Sequence, residues 1–441
     1  MRFMIALLVL ALVAAACGDD DDAGTTQATT ATTAATTTTA AAATTTAAAN
    51  VADNPDFGVT SDTIKIGWMG DATGPTASAQ ALNLYGSQAF VAWLNANGGV
   101  QGREIELVVK DDEFNAEKAL TNFTSLVQDE KVLGIIHLGG SHISTAIMPE
   151  VGELGIPVIG QPQNIDIQLL TPNSYNNIAH YGDQADVATL RMADLLGGVE
   201  NVKVMVIQLE LPSGDEWNAY IENSVTGAGG TYVGRLLLNA GAPDYTGVVT
   251  ELGQKVDAGE VNYVAFHGAP AHALGTLTEM KTQGVEVPFV GIHGLAGSTV
   301  YTEGQLEAGD VVEGIHSFLP ATSDCEGCGM IRDFVAGTEW EEDVVHINFT
   351  HGWVDMMITV QAIERAAAGS GELSWTTMNA ALTGGPFDVS GLTCDTDWSS
   401  QNFSPCATPF AWNYELGVLE PVGGFAQWAS ALDGEYFLFT S

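Results

Sequence analysis

The sequence predicts an α/β fold made of two doubly wound parallel sheets. Three observations carry that prediction. A strand–helix–strand pattern runs without a gap from residue 64 to 125, strands and helices keep alternating as far as residue 292, and 441 residues suffice for two lobes of ordinary size.

Residues 64–69 read as a buried strand, after which Leu84, Phe90, Val91, Trp93 and Leu94 set an apolar face at helical spacing. Asn97-Gly98-Gly99 closes that helix, because glycine accepts the positive φ of a helix end. Residues 105–109 form a short apolar run between turn signals, expected to be a strand buried in a parallel sheet, and residues 115–125 restart a helix. Two strands flanking one helix make a right-handed βαβ unit. Further strands are expected at 133–138, 157–160, 202–208, 261–267 and 288–292, with helices at 143–154, 184–196, 216–226, 245–258 and 271–283 between them.

At the N-terminus Arg2 precedes the apolar run 4–13 and then Ala14-Ala15-Ala16-Cys17-Gly18. The run has the form of a signal-peptide core and is too short to span a bilayer comfortably. Four aspartates followed by threonine and alanine leave residues 18–60 as an expected disordered tether, with a reach on the order of 30 Å. The net charge of -41, from 54 acidic and 13 basic side chains, argues against a nucleic-acid partner and describes a hydrated acidic surface better than a trap for cations.

Besides Cys17 there are four cysteines, Cys325, Cys328, Cys394 and Cys406, an even number that suggests two disulfides in an exported protein. Three connectivities are open, with pairing of sequence neighbours favoured. A zinc site is the alternative, but the pairs lack flanking zinc-ribbon turns. His267, His272 and His293 show no HExxH or comparable spacing, so neither a metal nor a cofactor is expected. No Gly-x-Ser-x-Gly, phosphate loop or dinucleotide fingerprint is present, and Ser141 beside His142 is not a dyad. The chain is expected not to be an enzyme.

Ile64-Lys65-Ile66-Gly67, Thr73-Gly74-Pro75, the turn and strand from Asn95 to Ala119, Gly139-Gly140-Ser141 and Ile156-Pro157-Val158-Ile159 follow one another in a telling order. This series resembles the type I periplasmic binding proteins of the leucine/isoleucine/valine-binding family, the solute receptors of ABC importers, and the resemblance runs from about Thr63 to Phe425. It implies two Rossmann-like lobes joined by a three-segment hinge with crossings near 178–181, 317–320 and 407–410. Lobe 1 is then 61–179 with 321–405, lobe 2 is 180–320 with 406–425, and 426–441 is a tail. The small residues before Cys17 resemble a lipoprotein signal, which implies an acylated Cys17 and attachment to the outer face of the cytoplasmic membrane, although Ala14 replaces the usual leucine. The implied partners are a small-molecule ligand, ABC permease and ATPase subunits, and the membrane through the lipid anchor.

In such sheets a ligand belongs at the carboxyl ends of strands, between the lobes. Gly140 and Ser141 offer backbone N–H groups and a hydroxyl at a helix start, which suits a carboxylate. The resemblance implies that Ser141 grips the ligand's α-carboxylate, and it brings Pro162 and Asn164 to the same end. The family's acidic partner for the ligand ammonium falls on His293, which carries no negative charge, so Asp71 or Asp215 must substitute or the ligand has no amine. Family tyrosines align with Ala79, Ser213, Ala269 and Asn348, a change toward a larger or more polar cavity. Trp217, Phe266, Phe349 and Trp353 are candidates to rebuild a wall, with core packing expected for Trp353. The expected function is capture of a branched-chain amino acid or related carboxylate or amide by lobe closure. A non-amino-acid ligand such as urea, an amide or an aromatic carboxylate, and a sensor in place of an importer, are the alternatives.

Overall fold

Lobe 1 opens with β1 (Thr63–Gly70), α1 (Ala77–Ala96) and β2 (Glu104–Asp111), in which β2 lies parallel to β1 with Thr63 opposite Glu104. α2 (Ala116–Gln128), β3 (Ile135–His137), α3 (Ser141–Leu154), β4 (Val158–Gly160), α4 (Ile165–Leu170) and β5 (Ser174–Asn176) follow. All five strands are parallel, in the order β2-β1-β3-β4-β5. This computed structural model describes residues 51–425, apart from 161–163, 297, 304–305, 308 and 404–405. Cys17, most of the tether and the 426–441 tail lie outside the described residues.

One strand sits differently from expectation. β2 is the edge of its sheet, and Glu104, Glu106 and Val109 are exposed. Only Ile105 is buried outright, so the apolar run 105–109 covers a rim and does not fill a core.

Lobe 2 contains α5 (Tyr181–Leu196), β6 (Lys203–Leu209), α6 (Pro212–Ala228), β7 (Thr231–Leu238), α7 (Tyr245–Asp257), β8 (Tyr263–His267), α8 (Pro270–Gln283), β9 (Phe289–Gly291), α9 (Ser298–Glu303) and β10 (Val312–His316). The chain then returns to lobe 1 for α10 (Glu326–Val335), α11 (Ile347–Ser370) and α12 (Trp375–Leu382). Finally β11 (Thr408–Asn413) and β12 (Val418–Pro421) add an antiparallel border to the second sheet, whose order is β12-β11-β10-β9-β8-β6-β7. The chain therefore passes between sheets three times: after Asn176, after His316 and before Thr408.

These passages are tied to one another. Ala179 N donates to Ser317 Oγ at 2.8 Å, Thr393 Oγ1 to Ser317 O at 2.5 Å, and Asn176 N to Asn402 O at 2.9 Å. Disulfides join Cys325 to Cys328 and Cys394 to Cys406.

A buried carboxylate organises the base of lobe 1. Asp355, on α11, accepts from Asn83 Nδ2 of α1 at 3.0 Å and from Asn177 Nδ2 of the first passage at 2.7 Å, and lies 3.4 Å from His351 Nε2. Asn83 in turn accepts from Trp68 Nε1 of β1 at 2.9 Å. Despite burial, which alone would raise it, the neighbouring His351 and the asparagine donors hold the Asp355 carboxyl below its ordinary value. α1 and α11 can approach this closely because Gly352 has no side chain: a Cβ there would stand 1.8 Å from Asn83 O.

The tether ends earlier than its expected boundary at residue 60. Val51 and Val59 are buried, Val59 N bonds to Asn54 O, and Ala52 N to Gly371 O. Arg103 fastens the segment, donating through Nη2 to Val51 O at 2.7 Å and through Nε to Thr60 O at 2.6 Å. Threonine and alanine composition stops at residue 50, and the apolar side chains beyond it have a core to enter. Arg103→Ala should cost about 2 kcal/mol, from charge-assisted bonds to two carbonyls, and accelerate amide exchange across residues 51–60. Unchanged exchange there would remove Arg103 as the fastening.

Candidate functional site

The loops after the carboxyl ends of β1, β3, β4, β6, β8 and β9 converge on one cavity of about 90 Å³ between the lobes. Lobe 1 contributes Thr76, Ala79, Gln80, Phe114, Gly140, Ser141 and Asn164 to its lining. From lobe 2 come Tyr181, Leu209, Leu211, Ser213 and Ile292, together with His267 to Pro270 and His293. No Asp, Glu, Lys or Arg is among the lining residues.

The lobe 1 end is set by a strained turn. His137 and Leu138 have φ of 70° and 83°, positions that cost non-glycine residues of order 1–3 kcal/mol each. Burial holds them there: Leu138 is fully enclosed, and the His137 ring stacks on Trp68 at 5.3 Å and meets Gln80 Oε1 at 3.1 Å. Gly140 follows with φ 105°, where a Cβ would stand 2.9 Å from the Phe114 ring. The turn delivers Ser141 as the first residue of α3, whose N-terminus has no side-chain cap. The Ser141 hydroxyl is buried without a hydrogen-bond partner among the described residues, so hydroxyl and helix start together offer donors to an anion.

The lobe 2 end is built from imidazoles. His293 begins a short turn after β9, its N–H bonded to Gln184 Oε1 at 3.1 Å and its ring 6.0 Å from that of His316. His267 ends β8 and meets Tyr181 edge-on at 5.6 Å. Burial drives both imidazoles down to about 3, with repulsion from His272 adding to the effect on His267 and repulsion from His267 and His351 to that on His293. Both are therefore neutral at physiological pH.

Neither acid considered as a substitute reaches this end. Asp71 is fully buried but occupied by Gly74 N, Thr76 N at 2.7 Å and Thr76 Oγ1 at 2.7 Å. Asp215 binds Arg235 Nη1 at 2.6 Å and Gln208 Nε2 at 3.0 Å. Neither lines the cavity.

The two lobes also touch directly at the cavity's edge. Glu216 of α6 accepts from Ile165 N at 3.1 Å and from Asn164 Nδ2, while Ile165 is buried in the apolar cluster that contains Trp217 and Tyr220 of lobe 2. Burial pushes the Glu216 carboxyl up to about 8, against the pull of these two donors. A wider cavity of about 690 Å³ adjoins at the lobe seam, sharing Asn164 and lined by Met148, Ile167 and Leu170. Glu216→Ala removes the bridge between lobes and should weaken ligand binding about tenfold, the equivalent of one hydrogen-bonded contact. Unaltered affinity in calorimetry would mean the bridge has no part in holding the lobes together.

The family model described as Periplasmic binding protein matches residues 63–413. The chain belongs to this family. Among relatives of this periplasmic binding protein, the leucine-, isoleucine-, valine-, threonine- and alanine-binding protein of Pseudomonas aeruginosa is 26% identical over 277 residues, 61% of this chain and 70% of the relative. The Leu/Ile/Val-binding protein of Escherichia coli is 22% identical over 268 residues, 60% and 69% of the two chains. Among solved structures, a fatty acid ABC transporter substrate-binding protein from Thermomonospora curvata aligns with TM-score 0.76 at 18% identity, covering 86% of this chain and 96% of that one. A branched-chain amino acid ABC transporter protein from Thermus thermophilus with bound valine aligns with TM-score 0.71 at 20% identity, covering 82% and 96%. Both likenesses show the two-lobed fold.

Of the residues singled out from sequence, Ala79, Gly140, Ser141, Asn164, Ser213, Ala269 and His293 meet at the cavity. Pro162 lies outside the described residues. Asn348 does not line the cavity: it is buried near the start of α11, against His316. Trp217, Phe266, Phe349 and Trp353 are wholly buried in the lobes and build no wall; Phe114 and Tyr181 do. His267 and Tyr181 escaped sequence reasoning as ligand neighbours. His267 was open to discovery as the last residue of a strand, since strand ends are where such sites form.

Proposed function

We propose that this periplasmic binding protein is the extracytoplasmic receptor of an ABC importer, and that its ligand is a small carboxylate lacking an ammonium group. The observation that carries the reading is the cavity's polarity. An unpartnered hydroxyl at a helix start faces it from lobe 1, neutral imidazoles face it from lobe 2, and no acidic side chain is in its lining. A buried ammonium without a counter-charge costs several kcal/mol, so an amino acid is a poor occupant although the relatives' names describe amino-acid binding. Contacts from both lobes favour the closed arrangement, which the importer's membrane subunits would read. The leader and Cys17 support export and anchoring at the membrane's outer face.

A thermal-shift panel of amine-free carboxylates, amino acids and amides tests the ligand class: stabilisation by carboxylates and not by valine or leucine is expected, about 2.7 kcal/mol at 100 times the dissociation constant. A shift with valine or leucine alone would return the site to amino acids. Ser141→Ala should weaken the carboxylate by about 1–3 kcal/mol in calorimetry, and an unchanged dissociation constant would take Ser141 out of the site. His293→Glu supplies the missing negative charge and should confer measurable valine or leucine binding. If it does not, the walls and not His293 exclude amino acids.

A further inference from the structure

We propose that His267 determines specificity in this cavity, selecting carboxylates whose end remote from Ser141 carries a neutral hydrogen-bonding group, a hydroxyl or a carboxamide. The inference rests on the carboxylate reading above and adds what the far end of the ligand must be.

Most polar side chains around the cavity are occupied within the protein. Gln80 accepts from Asp71 N at 3.0 Å and donates to Thr76 Oγ1 at 2.7 Å, Asn164 is held by Glu216, and the hydroxyls of Tyr181 and Ser213 bond to each other. Two buried side-chain atoms of lining residues lack a well-formed hydrogen bond among the described residues: Ser141 Oγ on lobe 1 and His267 Nδ1 on lobe 2, the His267 ring meeting only its own backbone. His267 is only 3% exposed. A buried polar nitrogen left bare is costly, and His267 borders the cavity, from which a ligand group can reach it. Leu209, Leu211 and Ile292 line the same lobe 2 wall, so the middle of the ligand meets apolar groups and its two ends meet polar ones.

The charge state of the far end follows from what surrounds His267. Burial disfavours its proton and His272 repels it, Tyr181 faces it edge-on, and the one nearby acid, Asp215, is bound to Arg235. A neutral imidazole pairs with a hydroxyl or carboxamide through one bond in either sense. An ammonium would lack a counter-charge, and a second carboxylate would have to bring a proton with it. A site built around such a bond discriminates against the analogue that lacks the group.

Calorimetry at pH 7.5 with butyrate, 3-hydroxybutyrate, succinamate, succinate and valine tests this on the protein without its leader and tether. The expected result is 3-hydroxybutyrate or succinamate binding at least tenfold tighter than butyrate, with identical observed enthalpies in phosphate and Tris buffers, showing no proton taken up. His267→Ala should bring that ratio close to one, and His267→Asn, which keeps a short donor and acceptor, should restore part of it; circular dichroism checks that each variant is folded. Equal binding of butyrate and its hydroxylated form, a ratio that survives His267→Ala, or tightest binding of succinate with one proton absorbed would each overturn the proposal and leave the carboxylate reading standing. Binding of valine alone, or of no carboxylate at all, overturns both together.

Discussion

Lobe 1 and its connections to lobe 2 depend on one buried carboxylate, Asp355. It draws an asparagine from α1, an asparagine from the first passage and a histidine from its own helix onto two oxygen atoms. Through Asn83 the same network reaches Trp68 and so the central strand of the sheet. Burying an ion is unfavourable unless every lone pair is used, and here several donors share it. The arrangement also fixes His351 against Phe318 of the second passage, at 4.4 Å between ring centres. Sheet, helix pair and hinge are thus registered against a common point, and the loops that form the cavity inherit their positions from it.

The cavity's lack of formal charge contrasts with the rest of the molecule. A chain of net charge -41 surrounds its cleft with a field that disfavours anions. Salt shortens the range of that field to about 8–10 Å at ordinary ionic strength. Local groups therefore have to supply the attraction, and the lobe 1 end does so with donors that need no cationic side chain: a hydroxyl and the first backbone N–H groups of α3. The strained residues His137 and Leu138 are part of that arrangement, since without their turn the head of α3 would not face the cleft.

Much of the fold was legible in the sequence because apolar runs and glycine stops mark strands and helix ends. β1, β6 and β8 lie where their apolar runs indicated, and Asn97 caps α1. Misreadings have physical causes. The run 105–109 is as apolar as a central strand, yet edge or centre is settled by which strands pair later, and nothing local records that. β11 and β12 carry Pro409 and Pro421 and a short turn between them, a weak signal for strands. At the site, Ser141 and His293 could be placed because each follows a recognisable strand. Asn348 could not, since where a helical residue points depends on how α11 rotates against α1. Phe114 enters the cavity from a turn in which both Glu113 and Phe114 have positive φ, a conformation their side chains do not announce. The Glu216 bridge joins residues 51 and 52 positions apart on different lobes, beyond the reach of any local pattern.

The Cys394–Cys406 bond gives the hinge an asymmetry. Cys406 stands just before β11, on the third passage, and neighbouring Thr393 is bonded to Ser317 on the second. The disulfide closes the segment between Cys394 and Cys406 into a loop, and hydrogen bonds tie that segment to the second passage through Ser317 and to the first through Asn176. The segment that anchors the other two passages is thus itself held by a covalent bond, one that an oxidising exterior preserves.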